Sequence, residues 1–286
     1  MDDRILNLYD EYTHAPLPRR VFLERLAGLC GSTAAAMALL PLLDNNYAHA
    51  ATIAADDARL ASSTIAYKGS SGDINGYLVL PKNGPPKRAG VVVVHENRGL
   101  TPHIMDVTRR IALLGYTALG VDLLTPLGGT PANEDDGRQL FAKLDQQRAI
   151  ADAAAAVSYL ESRPDATGRV GAIGFCFGGM IVNQMAVAAP NLDAAVVFYG
   201  RQPAAADVAR IKAKVQLHYA GNDAGVNAGM AVYEAELKAN EVDFEQHVYP
   251  GAQHAFHNDT GTARYDKAAA ELAWSRTVAF LKRSLS

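Results

Sequence analysis

Cysteine is scarce in this chain: two residues in 286, Cys30 and Cys176. One lies near the N-terminus and the other in mid-chain. They are not expected to pair, so no disulfide framework is implied and a free reactive thiol is left over. An excess of one charge is lacking too. The formal net charge is −3, from 27 basic and 30 acidic residues, which gives no sign of the basic footprint a nucleic-acid partner requires. Beyond residue 50 there is no run of about 18 charge-free, strongly apolar residues, so the body is not expected to span a membrane. Internal repeats and low-complexity tails are absent as well. What is present is 49% hydrophobic and 20% charged. That balance, at this length, suits one large α/β domain with a sizeable core.

Residues 1–50 differ from the body, 51–286. Arg19-Arg20-Val21-Phe22-Leu23 resembles a twin-arginine export signal, a moderately apolar segment runs from Leu26 to Leu43, and Ala48-His49-Ala50 has the A-x-A form of a cleavage site. The expectation is export to the periplasm with cleavage after Ala50. The leader is acidic on balance, with Asp2, Asp3, Asp10 and Glu11 against Arg4, and Glu24 sits where a small or basic residue is more usual. The alternative is a cytoplasmic protein with a retained helical extension, packed on the body or on a second subunit of a homodimer.

From residue 60 onward the pattern is regular. Thr64–Tyr67 and Gly76–Leu80 read as strands around the turn signal Gly69-Ser70-Ser71-Gly72. Val91–Val94 is a continuous β-branched run, expected as a central strand buried on both faces. Ile104, Val107, Ile111 and Leu114 lie on one helical stripe. A strand at Thr117–Val121 precedes a Pro/Gly-rich loop, Asp122–Asp136, that should rim a cleft. One long helix is expected from about Gly137 to Arg163. Further strands are read at Arg169–Ile173, Ala194–Tyr199, Val215–Tyr219 and Phe244–Tyr249. Helices follow at Met180–Val187, Met230–Ala239 and the C-terminus. Strands alternating with helices imply a mostly parallel sheet with helices on both faces.

Gly174-Phe175-Cys176-Phe177-Gly178-Gly179 is the most informative stretch. A strand, G-x-C-x-G and a helix make the pattern of a nucleophile elbow with cysteine in place of serine. The sharp turn needs small flanking residues, and it places the sulfur at a helix N-terminus, where the dipole favours thiolate. Working residues in such sheets sit at the carboxyl ends of strands. There the chain offers His95-Glu96-Asn97-Arg98-Gly99, Cys176, Gly221-Asn222-Asp223 and Gly251-Ala252-Gln253-His254-Ala255-Phe256. Cys176, Asp223 and His254 follow the chain order of an α/β-hydrolase triad. Cys176 is the expected nucleophile, His254 the base, and Asp223 the residue that fixes the imidazole. The backbone N–H groups of Asn97 and Phe177 are expected to form the oxyanion hole. His95, His218, His247 and His257 lack metal-ligand spacing, so no metal or other cofactor is expected.

The chain from about residue 60 to 284 resembles the dienelactone hydrolases (carboxymethylenebutenolidases), through the four motifs just quoted. The resemblance implies the α/β-hydrolase fold, a small ester or lactone as substrate, and Glu96 as an extra partner that pairs with the nucleophile and helps generate thiolate. Family members that cleave dienelactone hold its carboxylate with arginines. The matching positions here are Asn258 and the loop Leu123-Leu124-Thr125-Pro126-Leu127, so dienelactone itself is expected to be a poor substrate. Arg98 and Arg201 are the candidate substitutes, and Phe256 a candidate substrate-lining residue. A competing reading is a non-catalytic redox or ligand-binding protein that uses Cys176 as a reversible oxidation site. An Asp-oriented histidine serves no purpose in such a sensor.

Overall fold

The computed structural model describes residues 1–14, 17–46 and 52–286. The body is built on one eight-stranded sheet: β1 Leu60–Gly69, β2 Gly72–Pro81, β3 Arg88–Val94, β4 Thr117–Val121, β5 Ala166–Phe175, β6 Ala194–Phe198, β7 Lys214–Ala220 and β8 Phe244–Tyr249. Their order across the sheet is β1-β2-β4-β3-β5-β6-β7-β8. β1 and β2 form a hairpin in register from Leu60↔Pro81 to Gly69↔Gly72, and β2 pairs antiparallel with β4. All later neighbours are parallel. The β-branched run Val91–Val94 has no exposed surface, as expected of a strand covered on both faces.

Helices α1 Asp3–His14, α2 Arg19–Cys30 and α3 Thr33–Leu43 precede the sheet. α4 Pro102–Leu113 joins β3 to β4. α5 Glu134–Phe141 and α6 Gln146–Glu161 join β4 to β5, and α7 Phe177–Ala188 follows β5. α8 Ala224–Asn227 and α9 Met230–Ala239 lie between β7 and β8, and α10 Lys267–Ser284 closes the chain. Two expectations are corrected. The long helix from Gly137 to Arg163 is two helices, because Asp145 caps a new start: its carboxylate accepts from the backbone N–H of Gln147 and Arg148. Leu114 leaves the apolar stripe of α4. It is the C-terminal cap and is 38% exposed, whereas Ile104, Val107 and Ile111 are fully buried.

The first three helices have a small core of their own, containing Tyr9, Tyr12, Phe22, Leu26, Leu40 and Leu43. Tyr12 stacks on Phe22 with ring centroids 4.2 Å apart. Gly31, at φ 80°, ends α2, and Ser32 caps α3 by accepting from Ala35 N–H. The two helices meet at 110°, and no single helix among the described residues is long and apolar enough to cross a membrane. This cluster is fastened to the body. Tyr12 Oη donates to Asp135 Oδ1 at 2.8 Å, and Arg19 pairs with the same carboxylate. The Arg138 guanidinium lies 4.3 Å from the Tyr12 ring centre, and Asn45 Nδ2 donates to Glu134 Oε1 at 2.8 Å. The A-x-A pattern Ala48-His49-Ala50 lies outside the described residues.

Candidate active site

β5 delivers the chain to Cys176 at φ 55°, ψ −114°, from which α7 starts. A non-glycine residue in this region stores about 1–3 kcal/mol of strain and persists only where its surroundings enforce it. The neighbouring glycines make that enforcement possible. A Cβ on Gly174 would lie 2.0 Å from Gly178 O, one on Gly178 would lie 2.3 Å from Val94 O, and one on Gly179 would lie 2.6 Å from Phe198 O. The elbow is therefore pressed directly onto the ends of β3 and β6. Cys176 N–H donates to Phe198 O at 3.0 Å, tying the turn to the sheet.

β7 ends at Ala220, and Asp223 follows as the cap of α8. Its Oδ1 accepts from Val226 N–H at 3.1 Å, leaving Oδ2 for His254 Nδ1 at 2.6 Å. His254 arrives from the loop after β8, where Ala255 adopts φ 65°. Cys176, Asp223 and His254 are each only 8% exposed. Burial alone would strip the imidazole of its proton. The negative charge of Cys176 and the hydrogen bonds that the imidazole donates to Asp223 and Cys176 outweigh it and raise the His254 pKa well above the usual histidine range. The three residues that sequence order grouped are thus brought together, with the histidine electrostatically coupled to both partners.

Phe177 begins α7, where the first-turn N–H groups have no intrahelical acceptor. Asn97 is buried, lines the same cleft, and uses its side-chain Nδ2 on Thr13 O. The cleft has a volume of about 450 Å³, and its walls include Cys176, His254, Asp223, Tyr199, Arg201 and Asp10. Beside it lies a small polar cavity of about 20 Å³ that Cys176 shares with Glu96, Arg98, His254, Tyr9 and Arg264. Glu96 Oε2 accepts from Asn258 Nδ2 at 2.7 Å, while its Oε1 is buried without a hydrogen-bond partner among the described residues. Asn258, at a position where the family resemblance called for arginine, therefore holds the glutamate.

The other expected substrate contacts divide. Arg201 is exposed on the cleft wall. Arg98 is buried at 6% exposure and lines the small cavity. Phe256 is corrected: it is fully buried against Tyr249, Tyr199 and Phe198, so it belongs to the core beneath the His254 loop rather than to the cleft. Leu123 and Leu124 are buried, and Leu123 N–H donates to His95 Nε2 at 3.2 Å. That bond leaves the His95 proton on Nδ1, which faces Glu96 O. Burial lowers the pKa of His95, His218 and His257. His218 spends both ring nitrogens on Tyr249, Gln216 and Thr277. Among the described residues no three His, Cys, Asp or Glu side chains are grouped to hold a metal.

Tyr199 was missed by the sequence reading. It follows β6 at φ 38°, its ring lies 5.1 Å from that of His254, and it lines the cleft. Burial and the charges of Glu96 and Cys176 hold its phenol pKa far above the usual tyrosine value. It therefore stays neutral. The signal was available, since it sits at the carboxyl end of a strand, next to Gly200.

The dienelactone hydrolase family model matches residues 74–285. A putative carboxymethylenebutenolidase of Saccharolobus solfataricus is 33% identical over 257 residues, covering 77% of this chain and 97% of its own length. A probable 2-oxo-3-(5-oxofuran-2-ylidene)propanoate lactonase of Bradyrhizobium sp. is 29% identical over 206 residues, 67% of this chain and 82% of its own. The crystal structure of a putative dienelactone hydrolase from Klebsiella pneumoniae superimposes with a TM-score of 0.70 at 26% identity, over 78% of this chain and 99% of that one. With an α/β-hydrolase sheet beneath the elbow and this match across the body, the chain belongs to the dienelactone hydrolase family of ester and lactone hydrolases.

Proposed function

We propose that the chain hydrolyses a small ester or lactone through a Cys176–His254–Asp223 triad and a thioester intermediate. The observation that carries this reading is His254, bonded to Asp223 at 2.6 Å and coupled to the Cys176 sulfur in the same cleft. Cys176 thiolate adds to the acyl carbon, and the developing oxyanion takes hydrogen bonds from the N–H groups of Phe177 and Asn97. The C–O bond breaks, and the leaving oxygen takes the proton held on His254. His254 then removes a proton from water, which attacks the thioester and regenerates the thiolate. Asp223 keeps the proton on Nδ1 and stabilises the imidazolium. Glu96 is the extra acidic partner beside the nucleophile, held in place by Asn258.

Mixing with p-nitrophenyl acetate and quenching early should leave an acetyl group on the Cys176 peptide by mass spectrometry. Turnover with no trace of that adduct, even when hydroxide-driven deacylation is suppressed at low pH, would remove the covalent route.

The raised His254 pKa has a second consequence. A histidine raised above its unfolded value keeps its proton, and the ion pair it supports, through neutral pH; that support is lost as pH rises through the folded pKa. Iodoacetamide should therefore label Cys176 before Cys30 at pH 6–7 in the folded protein. Equal labelling, or Cys30 first, would contradict an ion-paired elbow thiol.

For residues 1–46 we propose retention on the body. Support comes from the buried Tyr9, Phe22 and Leu26 and from the engagement of Arg19, one arginine of the export-like pair, by Asp135. N-terminal sequencing of protein from the native host should begin at residue 1 or 2. A start after Ala50 would support periplasmic export instead.

A further inference from the structure

Two guanidinium groups, Arg98 and Arg264, line the small cavity beside the nucleophile. Arg98 makes one long hydrogen bond, 3.4 Å to Asn97 Oδ1, and its Nε is buried without a partner among the described residues. Arg264 comes from the segment after His254, and its side chain is only 10% exposed. Arg264 is covered by two residues of α1. Asp10 Oδ1 lies 3.5 Å from Arg264 Nη1, and the Tyr9 ring centre lies 5.0 Å from the Arg264 guanidinium carbon. Tyr9 is buried, and its phenol is pushed up to about 12 by that burial against the opposing charges of Arg264 and Arg98. Asp10 also reaches the wall of the main cleft and shares a second cavity, about 170 Å³, with Arg264, Asp223 and His254. Both covering residues belong to α1, outside the family match that begins at residue 74.

We propose that α1 sets the charge class of the substrate: Asp10 and Tyr9 engage Arg264 and close the cavity it shares with Arg98, so the chain hydrolyses neutral esters and lactones in preference to those bearing a free carboxylate. The assignment rests on the thiol-hydrolase reading for its substrate but not for its electrostatics. An acidic side chain on the cleft wall repels an incoming carboxylate. The same side chain neutralises the one cation on the His254 loop able to attract it. Asp10 and Tyr9 are specificity-determining residues in this scheme, and the reaction itself is left to the body.

The test reads charge at the nucleophile directly. Cys176 in the full-length protein is alkylated with iodoacetate and with iodoacetamide, and the rate ratio is normalised to that of glutathione. Asp10→Asn should raise the iodoacetate-to-iodoacetamide ratio by about fivefold to tenfold, because a partly exposed charge is removed and a nearby cation is released. Adding Arg264→Gln should abolish the rise. In parallel, the kcat/KM ratio of dienelactone to its methyl ester should move in the same direction in Asp10→Asn. An unchanged alkylation ratio in Asp10→Asn overturns the proposal, as does a rise that survives Arg264→Gln. Should the alkylation ratio shift while neither ester is hydrolysed, the hydrolytic reading fails and the charge assignment stands. Hydrolysis that depends on Cys176, with both ratios unmoved, means the opposite.

Discussion

Cys176→Ala should lower kcat/KM for p-nitrophenyl acetate by on the order of 10⁴- to 10⁶-fold, leaving only what binding and the oxyanion donors supply. In the proposed mechanism every other group at the site acts on or through this sulfur. His254 owes its retained proton in part to the Cys176 charge, and the left-handed turn at φ 55° serves to present this one side chain. Cys176→Ser should resemble the alanine variant more than the wild type. A hydroxyl ionises far above a thiol, so it cannot sustain the ion pair with His254. Cys30→Ala, a change on α2 in the N-terminal cluster, should leave turnover in place. Steady-state hydrolysis of the three variants, with circular dichroism as a folding control, decides the matter. Turnover by Cys176→Ala within tenfold of wild type would refute the assignment of the nucleophile.

Gly178→Ala should cost at least about 3 kcal/mol of stability and much of the activity with it. The added methyl would sit 2.3 Å from Val94 O and 2.6 Å from His95 O. Both are backbone atoms of the central strand and its exit, and neither can turn aside as a flexible side chain would. α7 would have to lift from β3, carrying the Phe177 N–H away from the proposed oxyanion position. Gly28→Ala is the control. That glycine is exposed in α2 with open space around it, so alanine should be neutral or stabilise by up to about 1 kcal/mol. Urea midpoints for both variants test the contrast. A Gly178→Ala midpoint equal to wild type would mean the elbow is not pressed against β3 as described.

The parts of this molecule that were legible in the sequence are those whose signal is local. Val91–Val94 is a buried strand because four β-branched residues in succession suit little else. Cys176, Asp223 and His254 could be ranked because each directly follows a strand, and strand ends are where a parallel sheet places its chemistry. The illegible parts depend on partners distant along the chain. Phe256 and a cleft-lining aromatic look alike in one dimension; only the positions of Phe198, Tyr199 and Tyr249 decide that it is core. Asn258 read as a missing arginine, while its positive role, holding Glu96 from 162 residues away, has no sequence signature. The break before α6 was readable in retrospect, since Asp145 ahead of Gln147 and Arg148 is an ordinary helix cap. Residues 1–46 were the hardest to place. Their apolar content fits a signal segment and a packed extension equally, and the contacts with Asp135, Arg138 and Arg264 that favour the proposed extension have no local sequence signature.

In the retained form proposed above, those contacts also impose an order of events during synthesis. Asp10 leaves the ribosome 254 residues ahead of Arg264, which at about 5–20 residues per second is an interval of roughly 13 to 50 seconds. During that time α1 lacks its full docking surface, since Asp135 and Arg138 emerge only about midway and Arg264 last, and its tyrosines would be open to any sticky surface nearby. The three-helix cluster around Phe22, Leu26 and Leu43 answers that hazard, since all of its members are translated within the first few seconds. The nascent extension can fold into a provisional unit, wait while the sheet is completed, and dock once the segment that carries Arg264 has emerged.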